Sequence, residues 1–143
     1  DRVLRMNILF LCTGNSCRSQ MAEGWARALA SDSVTIQSAG IEAHGKIPRA
    51  IAVMAEAGID ISAQESTRFD DAMLQAADLV ITVCGHADEY CPTLPMETSK
   101  EHWPREDPAR ASGSEDEIMK GVRASRDDIK QRVSNLLQRI ERR

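Results

Sequence analysis

Apolar residues come in short blocks separated by polar turns and by helical stripes. Met6–Cys12 is an almost unbroken apolar run that stops at a glycine-containing turn. Such a run predicts a parallel strand buried on both faces. Met21, Ala22, Trp25, Ala26 and Leu29 then recur at helical spacing, which predicts a helix from about Arg18 to Ala30. Val34–Ala39 is rich in β-branched residues and stops at Gly40, giving a second strand. Pro48 suits a first helical turn. Ile47, Ile51, Met54 and Ala55 follow at helical spacing, and Gly58 supplies the stop. A third helix is expected over Asp70–Ala77, the clearest strand over Leu79–Cys84, and a short fourth strand over Lys100–Trp103. Ser114 and Glu117 have the spacing of a capping box. They open a last helix whose stripe is Ile129, Val133, Leu136, Leu137 and Ile140. Gly121 and Ser125 weaken the middle of that helix, so a break is expected there.

Strands alternating with helices predict an α/β fold of three layers, a parallel sheet covered by helices on both faces. Ligands of such sheets bind where the strands end. Cys12, Cys84 and the segment after Trp103 all fall at expected strand ends, so residues far apart in sequence would converge. No repeat, low-complexity tract or linker divides the 143 residues, and one domain is expected over 1–143, with Asp1–Arg5 reading as an upstream remnant.

Composition narrows the function. Hydrophobic residues make up 42% of the chain and aromatics 3%, so the core must be aliphatic. Eighteen basic against 22 acidic residues give a net charge of −4. That argues against nucleic-acid and membrane-surface binding, which use basic patches. No run approaches the roughly 18 apolar residues of a membrane span. Ile8–Leu11 is too short for a signal-peptide core. The expectation is a cytoplasmic monomer. In that compartment cysteines tend to be reduced, and unusual cysteine patterns point to catalysis or metal.

The loop after the first strand carries the first chemical signal. Cys12, Thr13, Gly14, Asn15, Ser16, Cys17, Arg18 and Ser19 read C-x-x-x-x-x-R-S between a strand and a helix. Successive backbone N–H groups in a curled loop make an anion-binding concavity. The helix N-terminus behind it adds partial positive charge. Gly14 permits close backbone approach, and Asn15 tolerates the left-handed region. The Arg18 fork can hold two oxygens of a tetrahedral oxyanion. Cys12 would lie at the base of this cradle, where the same field favours its thiolate, with the Ser19 hydroxyl as a further donor to the sulfur. Cys17 reads as a packing residue that lends its backbone to the loop.

Two further signals lie downstream. Asp107 stands between prolines in the polar loop His102–Arg110, and Pro108 favours an extended conformation there. A cysteine nucleophile that displaces oxygen needs a proton donor for the leaving group. Asp107 can be that donor or a turn aspartate. Cys84 and Cys91 are seven residues apart. A helical Gly85–Tyr90 would hold them about 10 Å apart along its axis. A disulfide needs Cα atoms roughly 4.4–6.8 Å apart. A bridge between them would therefore require this segment to be irregular or to unwind. Two inert thiols, or a zinc site from Cys84, His86, Cys91 and His102, are the alternatives. The spacings of the latter are not familiar zinc spacings.

Taken together, "LCTGNSCRSQMAEGWA", "SAGIEAHG", "ADLVITVCGHADEYCP" and "EHWPREDPAR" resemble the thioredoxin-coupled arsenate reductases, which share the fold of low-molecular-weight protein tyrosine phosphatases. The resemblance runs from about Met6 into the C-terminal helix. It implies a four-stranded parallel sheet of order 2-1-3-4. It implies Cys12 as nucleophile, Arg18 and Ser19 as groups that bind oxyanion and thiolate, Asp107 as the acid, and Cys84 and Cys91 as redox cysteines. The implied reaction reduces arsenate to arsenite. A Cys12–Cys84 disulfide passes to Cys84–Cys91 and then to thioredoxin, so no cofactor is tightly bound and arsenate, phosphate-type oxyanions and thioredoxin are the partners. Some members bind potassium beside the loop, and Asn15, Glu23 and Ser38 match positions of that site. Glu65 and Thr67 replace the residue types expected among its further ligands, which argues against potassium here. His44 falls in a matching motif and reads as a turn residue beside Gly45. A phosphatase is the main rival. Ala109 and Arg110 stand where phosphatases of this fold usually carry an aromatic after the Asp-Pro pair, and a phosphatase does not need Cys84 and Cys91. Weak aryl-phosphate hydrolysis is expected all the same. A redox-sensing protein without catalysis would not need the cradle.

Overall fold

The structure is a computed structural model that describes residues 6–15, 17–43, 45–83, 94, 98–103 and 113–141. Its elements in chain order are β1 (Met6–Cys12), α1 (Arg18–Leu29), β2 (Val34–Gly40), α2 (Pro48–Glu56), α3 (Asp71–Ala76), β3 (Leu79–Thr82), β4 (Ser99–His102) and α4 (Glu115–Glu141). The strands form one sheet ordered β2-β1-β3-β4, every pair parallel. This is the order that the family resemblance implies.

The burial pattern explains the layering. Successive side chains of a strand point to opposite faces. Ile8 to Cys12 and Leu79 to Thr82 are buried without interruption, so both faces of the two central strands are covered. Edge strand β2 alternates buried and exposed along its first half, and β4 is exposed or half-buried. Phe10, Leu11, Met21, Met54, Ile61 and Ile81 are fully buried and form the middle of the core. Among the described residues no helix is long and apolar enough to cross a membrane.

The helix ends follow local chemistry. Asp70 caps α3 by accepting from Met73 N at 2.8 Å. Pro48 opens α2, and Gly58, at φ 84°, turns the chain after it. Ser114 Oγ accepts from Glu117 N at 3.2 Å at the start of α4.

Two expectations are corrected. The last helix does not break, because Val122, Ile129, Val133, Leu136 and Leu137 form one buried stripe that outweighs the weak propensity of Gly121. Ser125 sits within that stripe, 1% exposed, and its hydroxyl is unpartnered among the described residues. The fourth strand begins and ends one residue earlier than the sequence suggests, since Ser99 N already bonds Asp78 O at 3.0 Å. The third strand is regular to Thr82, and Val83 N still bonds Leu11 O at 2.9 Å. The strand's expected end, Cys84, lies outside the described residues.

Candidate active site

The register places the ends of β1 and β2 side by side, with Cys12 opposite Gly40. The chain then turns through Thr13, Gly14 and Asn15 into α1. Each carbonyl of this turn has a donor on its outer side. Cys12 O accepts from Ile41 N at 3.0 Å and Thr13 O from Glu42 N at 2.9 Å. Gly14 O accepts from Ser66 Oγ at 3.2 Å and Asn15 O from Gln20 Nε2 at 3.0 Å. In a trans peptide the N–H points opposite to the C=O. The N–H groups of Thr13, Gly14 and Asn15 therefore face away from these donors, the disposition that an anion nest requires. Asn15 has φ 47° and is fully buried.

A side chain at Gly40 would not fit. A Cβ there would lie 2.3 Å from Glu42 O, 2.7 Å from Asn15 N and 2.9 Å from Thr13 O. The end of β2 thus touches the loop backbone directly. In sequence Gly40 only marks the end of a strand.

Cys12 is 5% exposed at the end of β1, and Arg18 is 3% exposed at the first turn of α1. Arg18 lines a cavity of about 10 Å³ with Val83, Trp103, Asp128, Ile129 and Arg132. The guanidinium-bearing residue therefore meets the ends of β3 and β4, from which the segments carrying Cys84, Cys91 and Asp107 depart. Those three residues, with Ser16 and His44, lie outside the described residues. Cys17 is 2% exposed within the hydrophobic core, in keeping with packing.

The Ser19 hydroxyl donates to Asn15 Oδ1 at 2.8 Å, a bond that supports the left-handed turn.

The residues matched to a potassium site do gather, behind the loop. Asn15 Nδ2 lies 3.4 Å from Ser38 O, 3.5 Å from Glu65 O and 3.4 Å from Thr67 O. Glu23 Oε1 accepts from Ser38 Oγ at 2.5 Å, and Glu23 Oε2 pairs with Arg27 Nε at 2.8 Å. The Asn15 amide thus lies beside three backbone carbonyls, and the Arg27 guanidinium addresses the Glu23 carboxylate.

Residues 7–143 match the family described as low molecular weight phosphotyrosine protein phosphatase. An arsenate reductase of Halalkalibacterium halodurans is 52% identical over 126 residues, 88% of this chain and 91% of that protein. The chain belongs to the low molecular weight phosphotyrosine protein phosphatase family, on its arsenate reductase branch. Solved structures place it similarly. An arsenate reductase in the oxidized state superposes with a TM-score of 0.79 at 36% identity, covering 94% of this chain and 98% of that one. One in a phosphate-binding state gives 0.76 at 37% identity, with the same coverage. A thioredoxin-dependent arsenate reductase of Corynebacterium glutamicum gives 0.74 at 27% identity, covering 96% of this chain and 63% of that one.

Residues that the sequence reading passed over hold this loop from behind. Gln20, Gln64 and Ser66 all contribute hydrogen bonds to it or to each other. A glutamine early in a helix and a polar connecting segment carry no local signal for that role. Only the fold brings them within reach.

Proposed function

We propose that this protein reduces arsenate to arsenite in the cytoplasm, as a monomer, and is re-reduced by thioredoxin. The observation that carries the reading is the loop after β1, whose carbonyls from Cys12 to Asn15 each have a donor, between buried Cys12 and buried Arg18. The 52% identity to an arsenate reductase supports it.

Arsenate enters the loop with its oxygens on backbone N–H groups and Arg18. The Cys12 thiolate attacks arsenic, and Asp107 gives a proton to the oxygen that leaves as water. Cys84 thiolate then attacks Cys12 Sγ. The sulfur–arsenic bonding pair goes to arsenic, which falls from the +5 to the +3 state and departs as arsenite. A Cys12–Cys84 disulfide remains. Cys91 attacks Cys84, releasing the Cys12 thiolate, and a thioredoxin dithiol reduces the Cys84–Cys91 bridge.

The test is arsenate turnover with thioredoxin, thioredoxin reductase and NADPH. Cys84→Ser and Cys91→Ser should each lose multiple turnover yet keep slow aryl-phosphate hydrolysis, and Cys12→Ser should lose both activities. Full turnover in either of the first two variants refutes the relay. Aryl-phosphate hydrolysis by Cys12→Ser refutes the nucleophile.

A further inference from the structure

The mechanism uses what faces the inside of the loop. The outside is held by groups with no part in the chemistry. Gln20, the third residue of α1, is fully buried. Its Nε2 donates to Asn15 O at 3.0 Å and to Glu65 O at 2.9 Å, which engages both amide protons. Its own oxygens accept from Gln64 Nε2, Oε1 at 2.8 Å and the backbone O at 3.0 Å. Ser66 Oγ donates to Gly14 O at 3.2 Å and accepts from Gly45 N at 3.0 Å. The segment 64–66 therefore lies as a strap across the back of the loop, and Gln20 is the buried clasp between them.

We propose that Gln20, fastened by the strap of Gln64 and Ser66, is a positioning residue that fixes the anion-binding N–H groups before the oxyanion arrives. The inference rests on the reading of this loop as an oxyanion cradle. A peptide unit is rigid, so Ser66, by holding Gly14 O, holds the Asn15 N–H on the opposite side, and Gln20, by holding Asn15 O, pins the next corner of the same turn. The loop needs such support because Asn15 occupies the sparsely populated left-handed region. N–H groups that are already aligned bind an anion without a reorganisation cost. If Gln20 cannot donate, Asn15 O is left without its donor in a buried setting and the peptide is free to rotate. Binding must then reorder it. Among the described residues the bonds from clasp and strap to the loop go to Asn15 O and Gly14 O, so the loss should fall on affinity far more than on the chemical step.

Gln20→Met keeps the volume and removes both donors. Gln20→Glu keeps the shape and replaces the donor by an acceptor. The readouts are the Kd for inorganic phosphate by calorimetry, arsenate KM and kcat measured separately, and thermal stability. A buried group left unsatisfied costs an amount that corresponds to roughly 5- to 100-fold in affinity. A phosphate Kd weakened by about that factor is expected for Gln20→Met, with KM raised in step and kcat changed much less. Leu136→Ala, in the buried stripe of α4, is the matched control. It should lower stability without moving the phosphate Kd. Ser66→Ala removes the donor to Gly14 O and should show a smaller loss of the same kind. It serves as the decisive variant if neither Gln20 variant folds. Unchanged phosphate affinity in a folded Gln20→Met, or in Ser66→Ala where the former does not fold, overturns the proposal. So does an equal loss in Leu136→Ala. A parent protein that binds no phosphate overturns the cradle and the proposal together. A parent that binds phosphate and fails to reduce arsenate overturns the reductase reading alone.

Discussion

Replacing Gly40 by alanine should damage stability and oxyanion affinity together. The added Cβ would meet Glu42 O at 2.3 Å, Asn15 N at 2.7 Å and Thr13 O at 2.9 Å, where ordinary contact begins at 3.4 Å. All three are backbone atoms, so no side chain can swing aside. The nearest carbonyl must retreat by about 1 Å. That moves a peptide whose neighbours bond across the junction, Glu42 N to Thr13 O at 2.9 Å and Gly40 N to Thr67 O at 2.8 Å. Overpacking of this kind costs roughly 1–3 kcal/mol. One weakened backbone bond adds about 1 kcal/mol. The sum, roughly 2–4 kcal/mol, corresponds to a fall in Tm of roughly 6–15 °C for a domain of this size. Thermal unfolding measures that part, and phosphate titration below the transition measures the other, because the displaced atoms include Asn15 N of the cradle. Gly24→Ala is the contrast. Its Cβ would meet the methyl groups of Ile61 at 2.6 Å, Met54 at 3.1 Å and Ile59 at 3.3 Å, all side-chain atoms and none of them part of the loop. It should leave phosphate affinity alone whatever it does to Tm. A Gly40→Ala protein with parental Tm and parental phosphate affinity refutes the reasoning.

The remaining predictions concern the scaffold. A Cβ at Gly121 would meet nothing within 4 Å, so Gly121→Ala should raise stability by roughly 0.5–1 kcal/mol through helix propensity alone. Ser125→Ala should be neutral or stabilising, since it removes a buried hydroxyl that lacks a partner among the described residues. Denaturant titration reads both, and a clear loss in either contradicts the account of α4. Hydrogen bonds from Arg123, and then the charges of Arg123 and Arg126, hold the Glu56 carboxyl below its ordinary value of 4.5. A lowered folded-state value means that the contribution is present above pH 4.5 and fades as the pH falls below it. The gap in Tm between the parent and Glu56→Gln should therefore close on acidification, and a gap constant from neutral pH into strong acid refutes the assignment.

Much of the fold was legible before any coordinates. Apolar runs and helical stripes report burial within a few residues, and burial is what fixes β1, α1, β2, α2 and β3. The loop after β1 was legible for the same reason: Cys12, Gly14, Asn15 and Arg18 fall within one short stretch, and a strand–loop–helix context is a local property. The expected break in α4 failed because propensity at Gly121 is a small term beside a stripe of buried aliphatics from Val122 to Leu137. The bond from Ser19 to Asn15 Oδ1 was not legible, because the two come within reach only once the loop has curled.

The sequence by itself therefore determined the order of elements, the class of sheet and the position of Cys12 at the end of the first strand. Tertiary structure alone decided what keeps the loop in shape. The bonds from Gln20 to Glu65 and from Ser66 to Gly14 span 45 and 52 residues, and Gly40 meets the loop through bare backbone. Periodicity reports which side of an element faces the core. It carries nothing about which donor a carbonyl finds there, since that depends on how separate elements pack against one another.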